Sequence, residues 1–387
     1  MCHTKFVLLV TTVLLGCEST QAARPFLTEQ VLFKKGDHGY HTFRIPALVT
    51  APDGVLLAFV EGRKENPRDP GEGQGDIDLV YKSSTDQGKT WSALKILDDP
   101  GVKWAASNPT PVVDKTNGRV WIVFNRWEPG FGTRLSRAGT TNSQTWARYS
   151  DDNGKTWSSP IDITRSARDF DDWNAMFPGP GGAIQTRGGR LLIPAARTLD
   201  TSKIWVAFDE GDKLVTTMRS YAIYSDDHGK TWQRGELLHA FTDECQFVEL
   251  ADGAVMIDAR QNYGDHRWVA ISQRGGETWS RPRAGQFLTP VATSIERYTL
   301  KSAGDDRNRI LWTGPKGPGR QTLVVRTSYD EGQTLGNEKV IYGGFTAYSD
   351  ISILKDKTIG VLWERGVSKG YQFITFTRLD REFLEGP

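Results

Sequence analysis

Ser150-Asp151-Asp152-Asn153-Gly154-Lys155-Thr156-Trp157 reads Ser-x-Asp-x-Gly-x-Thr-Trp, and the pattern recurs along the chain. Residues 84–91 and 225–232 match it throughout. Two copies are worn: residues 272–279 carry Arg274 in the Asp slot, and residues 328–335 carry Leu335 in the Trp slot. The chemistry of each copy is that of a turn. Ser and Asp oxygens accept backbone N–H groups across a tight reversal. Gly supplies a positive φ, and Trp folds its apolar face back over the hairpin. A reacting carboxylate would not be needed five times over, so Asp152 and its counterparts are read as structural. Copies roughly 60 residues apart, separated by short apolar runs, predict an all-β chain built as a six-bladed β-propeller.

Working outward, residues 43–49 and 55–60 read as strands joined by Pro52-Asp53-Gly54. Residues 65–75 are rich in Pro, Gly and charge and read as an exposed, mobile loop. Similar strand pairs precede every later copy of the turn. Residues 131–147 read as a Gly-, Thr- and Arg-rich insertion at the rim. Phe373-Ile374-Thr375-Phe376 is expected to complete a blade begun near the N-terminus, closing the ring and removing free edges. No helical period is sustained anywhere.

The chain has 387 residues, 38% hydrophobic and 11% aromatic, enough for a large core. A single propeller over residues 24–387 accounts for that length. The net charge of +1 gives no bulk attraction to nucleic acid or anionic membranes. Lys5 precedes a short apolar run over residues 6–15, too short to span a bilayer but suited to a signal peptide. Residues 1–22 are therefore expected to be a leader. It ends either at Thr20-Gln21-Ala22 or after Gly16, leaving a lipid-anchored Cys17. The protein is expected to be secreted, periplasmic or lipid-anchored at the cell surface, with membrane attachment only through Cys17. Beyond Cys2 and Cys17 only Cys245 remains, so no intrachain disulfide is expected; Cys245 reads as a small buried hydrophobe. The six histidines show no metal-ligand spacing, and no phosphate-cradling loop stands out, so neither metal nor cofactor is expected.

Phe43-Arg44-Ile45-Pro46 followed by these boxes resembles the sialidase (exo-α-neuraminidase) family, over most of the chain beyond the leader. The resemblance implies a six-bladed propeller that cleaves terminal α-linked sialic acids, with the site at the end of the pore opposite the boxes. By motif it assigns the grip on the sugar carboxylate to Arg44, to Arg260 in Ile257-Asp258-Ala259-Arg260, and to Arg320 in Gly317-Pro318-Gly319-Arg320. Arginine suits that task because its planar fork pairs bidentately with a carboxylate. It assigns the nucleophile to Tyr348 in Ala347-Tyr348-Ser349-Asp350, and its proton acceptor to Glu244 in Glu244-Cys245-Gln246, with Glu249 the competing position. A neutral phenol would not be repelled by the substrate's own carboxylate, as a carboxylate nucleophile would. The general acid falls on Asp69, after Glu61-Gly62-Arg63, with Asp76 a rival because residues 72–75 look inserted. Glu364 in Trp363-Glu364-Arg365 would orient Arg44, and Arg63 would touch the sugar. An N-acetyl pocket would draw on Asn108 or Trp127.

The expected reaction is hydrolysis of sialylated glycoproteins, glycolipids and oligosaccharides, with retention at the anomeric carbon. The alternatives are a trans-sialidase using the same residues, and a non-catalytic propeller that binds glycans or proteins.

Overall fold

Short apolar runs broken by Asp-Gly and Asn-Gly turns leave the chain few options other than antiparallel hairpins. A computed structural model describes Met1 and residues 26–386, apart from 74, 199–217, 262, 263, 289, 368 and 369. The leader beyond Met1, including Cys17 and both cleavage positions, lies outside the described residues.

Strand Thr42–Thr50 pairs with Leu56–Arg63, that with Ile77–Ser84, and Lys95–Asp98 lies outermost. The same meander returns as Ala105–Asp114, Arg119–Trp127, Ser143–Ser150 and Ile161–Asp162. Ala175–Pro178, Leu191–Thr198, Arg219–Ser225 and Gln233–Arg234 follow. Next come Cys245–Glu249, Val255–Ala259, His266–Ser272 and Arg283–Phe287. Ser294–Thr299, Arg309–Pro315 and Gln321–Ser328 lead into the long strand Gly336–Ile353. The far half of that strand starts the last meander, with Ile359–Arg365 and Phe373–Leu379. Its outermost strand is Leu27–Lys34, the first of the chain, paired from Leu27↔Leu379 to Lys34↔Phe373. Both ends of the described chain are thus stitched into one sheet, as the closing strand Phe373–Leu379 required. Among the described residues the α-helices are two short ones, Thr164–Ala167 and Arg381–Glu385, and no helix is long and apolar enough to cross a membrane.

The core lies between neighbouring meanders. Ala47, Leu57, Phe59 and Tyr81 of one pack against Val120, Ile122 and Phe124 of the next. Each Val, Leu, Ile or Phe among them contributes about 1.5–3 kcal/mol when fully buried.

The boxes form as their residues demand. In the second, Ser150 donates to Asp152 at 2.7 Å and accepts from Gly154 N at 2.8 Å. Asp152 accepts from Thr156 N at 2.9 Å and the Thr156 hydroxyl at 2.6 Å. The residue before each box glycine is left-handed too: Asn153 has φ 58° and Gly154 φ 79°. The glycine is required by packing as well as by φ. A Cβ on Gly154 would lie 2.6 Å from Leu57, on the meander before it. The same relation joins Gly276 to Leu192 and Gly332 to Met256. The turns therefore seal one sheet against the next.

The rim insertion is shorter than its composition suggested. Residues 143–147 belong to strand Ser143–Ser150, with Ser143, Thr145 and Ala147 buried and paired to Trp127, Asn125 and Val123. Period-2 burial outweighs the loop-like residue types there. The loop proper covers residues 128–142.

Candidate active site

Arg44 owes its position to a bulge. The register of Thr42–Thr50 slips between Arg44 and Ala47, and Ile45 takes φ 60°, a costly conformation for a β-branched residue. Glu364 holds it there. Its Oε1 accepts from Arg44 Nε at 2.8 Å and from Ile45 N at 3.0 Å. Its Oε2 accepts from Arg44 Nη2 at 3.2 Å and from Tyr348 N at 3.1 Å. One fully buried carboxylate thus sets both the first arginine and the backbone of Tyr348.

The Tyr348 hydroxyl donates to Glu244 Oε1 at 2.5 Å and accepts from Arg260 Nη1 at 2.9 Å. Arg260 Nη1 also donates to Glu244 Oε2. The guanidinium carbons of Arg44 and Arg320 stand 5.2 Å and 5.6 Å from the centroid of the Tyr348 ring. Three meanders and the long strand therefore bring three cations around one phenol. Burial, then the Glu244 charge, push that phenol well above its ordinary value, and Arg260, Arg320 and Arg44 only partly offset them. At neutral pH it keeps its proton, with an acceptor already in contact.

Asp69 lies on the cationic side of this cluster. Arg63, almost fully buried, donates to Glu61 Oε2 at 3.0 and 2.7 Å. Its Nη1 reaches the carbonyls of Pro67 at 2.7 Å and Arg68 at 2.9 Å, and Asp69 Oδ1 at 3.1 Å. Arg44 Nη1 is 3.7 Å from the same oxygen, whose side chain is 66% exposed. Partial desolvation pushes the Asp69 carboxyl up, but Arg63, Arg44 and Arg320 together hold it below the usual carboxylate range.

The competing positions lie elsewhere. Asp76 is buried against Lys64 at 2.9 Å and accepts from Lys103 N at 3.3 Å. Glu249 sits at the far end of Cys245–Glu249, about 16 Å from Glu244 along an extended strand, and accepts from Arg187 N at 2.9 Å. Trp127 is 2% exposed, its indole bonded to Ser107 and packed with Phe177 and Ala196. Asn108 repeats the Ile45 device: φ 56° at a bulge, its N–H on Glu61 Oε1 at 3.1 Å.

Two residues escaped the motif reading. The Tyr371 ring lies 3.8 Å beneath the Arg44 guanidinium, and its hydroxyl accepts from Arg320 Nη1. A lone tyrosine on a hairpin gives no sequence signal. Asp350, two residues past Tyr348, is fully buried. It accepts from Leu48 N at 2.8 Å, Gly182 N at 3.1 Å, Gln246 at 3.1 Å and Ser294 at 2.9 Å. It ties four other segments to the long strand. Its place in the same short motif as Tyr348 was the available clue.

Known proteins share this arrangement of sheets. Residues 54–361 match the family described as a BNR repeat-like domain. The sialidase of Micromonospora viridifaciens is 31% identical over 92% of this chain and 55% of its own length. The sialidase of Paraclostridium sordellii is 30% identical over 72% of this chain and 68% of its own. This chain thus spans little more than half of the Micromonospora protein. Among solved structures, the Hadza microbial sialidase Hz136 superposes with a TM-score of 0.78 at 25% identity, over 90% of this chain and 68% of that one. A leech intramolecular trans-sialidase, complexed with 2,7-anhydro-Neu5Ac, gives 0.76 at 17% identity, over 93% and 71%.

Proposed function

Because the chain belongs to the sialidase family of BNR repeat proteins, we propose that it is an exo-α-sialidase acting on terminal α-linked sialic acids. The observation that carries this is the Tyr348 hydroxyl held between Glu244 and Arg260, with Arg44 and Arg320 flanking its ring. A sialoside bears its carboxylate on the anomeric carbon. Three guanidiniums beside a phenol would grip that anion and set the reacting carbon against the nucleophile.

The reaction has two displacements. In the first, the Tyr348 oxygen attacks the anomeric carbon and its proton passes to Glu244. The glycosidic C–O bond breaks, and the departing oxygen takes a proton from Asp69. In the second, water attacks the same carbon and yields its proton to Asp69. The tyrosyl oxygen leaves and recovers its proton from Glu244. Two inversions retain the anomeric configuration. Asp69 is ionised in the free protein because of Arg63 and Arg44. Binding the substrate carboxylate would neutralise those cations, and the bound sugar would exclude water. Both raise the Asp69 carboxyl towards the protonated form that a general acid needs.

In this reading the successive meanders are six blades of a propeller, and the substrates are sialylated glycoproteins, glycolipids and oligosaccharides. The apolar leader supports export, by cleavage or by lipid anchoring at Cys17. The test is NMR of the first product from α2,3- and α2,6-sialyllactose, with Tyr348→Phe alongside. Release of α-sialic acid, and a loss of at least about 10³-fold in Tyr348→Phe, are expected. First formation of an anhydro sugar would reassign the chain to intramolecular transfer. Full activity in Tyr348→Phe would remove the nucleophile.

A further inference from the structure

Residues 65–75 carry Asp69, and nothing in their composition says what holds them still. On the inner side Arg63 grips the carbonyls of Pro67 and Arg68. On the outer side lies the loop of residues 128–142 from the next meander. The contact between the two loops is backbone on backbone. Gly71 is buried at φ +73°, and a Cβ there would overlap the Phe131 carbonyl oxygen, 2.6 Å from Phe131 C and 2.7 Å from Gly132 N. From the opposite side, a Cβ on Gly132 would lie 2.9 Å from the Pro70 carbonyl oxygen. Gly130 N donates to Gly73 O at 3.0 Å. The outer loop is itself anchored to the segment that leads into the following meander. Gly139 N donates to Phe170 O at 2.7 Å, Ala138 N to Asn174 Oδ1 at 3.3 Å, and buried Arg168 to the Thr140 carbonyl.

We propose that residues 128–142 are a positioning element for Asp69, clamping its loop through a contact that only glycines at 71 and 132 permit. This rests on the reading of Asp69 as the proton donor. Asp69 sits on a loop rather than on a strand, and its side chain is two thirds exposed. The clamp fixes its distance from Arg44, and so from the departing oxygen. A side chain between the loops forces them apart by roughly an ångström, and a misplacement of that size costs about 10²-fold in a positioned step.

The test compares a poor leaving group, 3′-sialyllactose, with an activated aryl α-sialoside, in four variants. Asp69→Ala sets the reference: it should depress the poor substrate far more than the activated one. Gly71→Ala should follow it, losing about 10- to 100-fold in kcat on sialyllactose and less than about 3-fold on the aryl substrate. Inhibition by free sialic acid should stay within about twofold, because the arginines are untouched. Gly189→Ala, in a turn of the third meander outside both loops, carries the same kind of left-handed strain, at φ +94°, and its Cβ meets nothing within 4 Å. It should act as the unmodified protein on both substrates. If Gly71→Ala does not fold, Gly132→Ala is read in its place. Equal losses on the two substrates, or a Gly71→Ala protein no worse than Gly189→Ala, overturn the clamp. An Asp69→Ala protein without leaving-group dependence overturns the acid assignment and the clamp with it.

Discussion

The end of the sheets that carries the boxes and the end that carries Tyr348 use carboxylates in opposite ways. At the box end, Asp152 finds its donors on Ser150 and Thr156, within four residues of itself. At the other end, Glu364 holds Arg44 from 320 residues away, and Glu244 meets Tyr348 from 104. The first kind of site is a property of a local peptide and can be copied. The second exists only once the sheets are docked, and it is made once. Three tests bear on this contrast.

The largest effect belongs to Glu364→Ala. It leaves Arg44 buried without its partner and strips Ile45 and Tyr348 of a backbone acceptor. Breaking a buried pair from one side costs about 3–5 kcal/mol. Urea unfolding should show that loss together with a raised KM. An unchanged unfolding midpoint would mean that Arg44 is held by Tyr371 rather than by Glu364.

The box end answers to acid. Hydrogen bonds from Thr90 and Thr156 hold Asp86 and Asp152 at about 2, against an ordinary 3.8. A depressed folded value stabilises the protein above the ordinary value and is lost as pH falls through the folded one. Stability should therefore decline as pH drops from about 4 to about 2, with the boxes contributing to the slope. Asp152→Asn should make the slope shallower by one box's share. An identical slope in urea titrations would place the acid sensitivity elsewhere.

The smallest effect is a repair. Arg274 stands where the other boxes carry Asp, and its side chain makes an exposed ion pair to Glu277 at 2.8 Å. Such a pair contributes about 0–1 kcal/mol, whereas a restored hydrogen bond to Thr278 contributes about 0.5–1.5 kcal/mol. Arg274→Asp should therefore raise the urea midpoint slightly. A lower midpoint would show that this box has adapted to its arginine.

Legibility in the sequence follows the same division. The box hairpins and the closing strand Phe373–Leu379 were readable from Ser-x-Asp-x-Gly-x-Thr-Trp and from alternating apolar runs. The left-handed residue before each glycine was not, since Gln87, Asn153, His228 and Glu331 share no side-chain chemistry. Arg44, Arg260, Arg320, Tyr348, Glu244 and Glu364 could be named only through resemblance to a family. The structure then shows them meeting around one phenol. Tyr371 had no motif to mark it, and the buried state of Trp127 depended on a neighbouring sheet.

The residues alone determined a repeated β-hairpin with its Ser, Asp, Gly and Thr in fixed places, because every partner in that turn lies within a few positions of the next. Tertiary structure decided which arginines converge, which carboxylate meets the phenol, and that Asp69 faces Arg44 and Arg63 while Asp76 pairs with Lys64. Those relations join side chains tens to hundreds of positions apart. No local rule of spacing relates them until packing between the sheets brings them within reach.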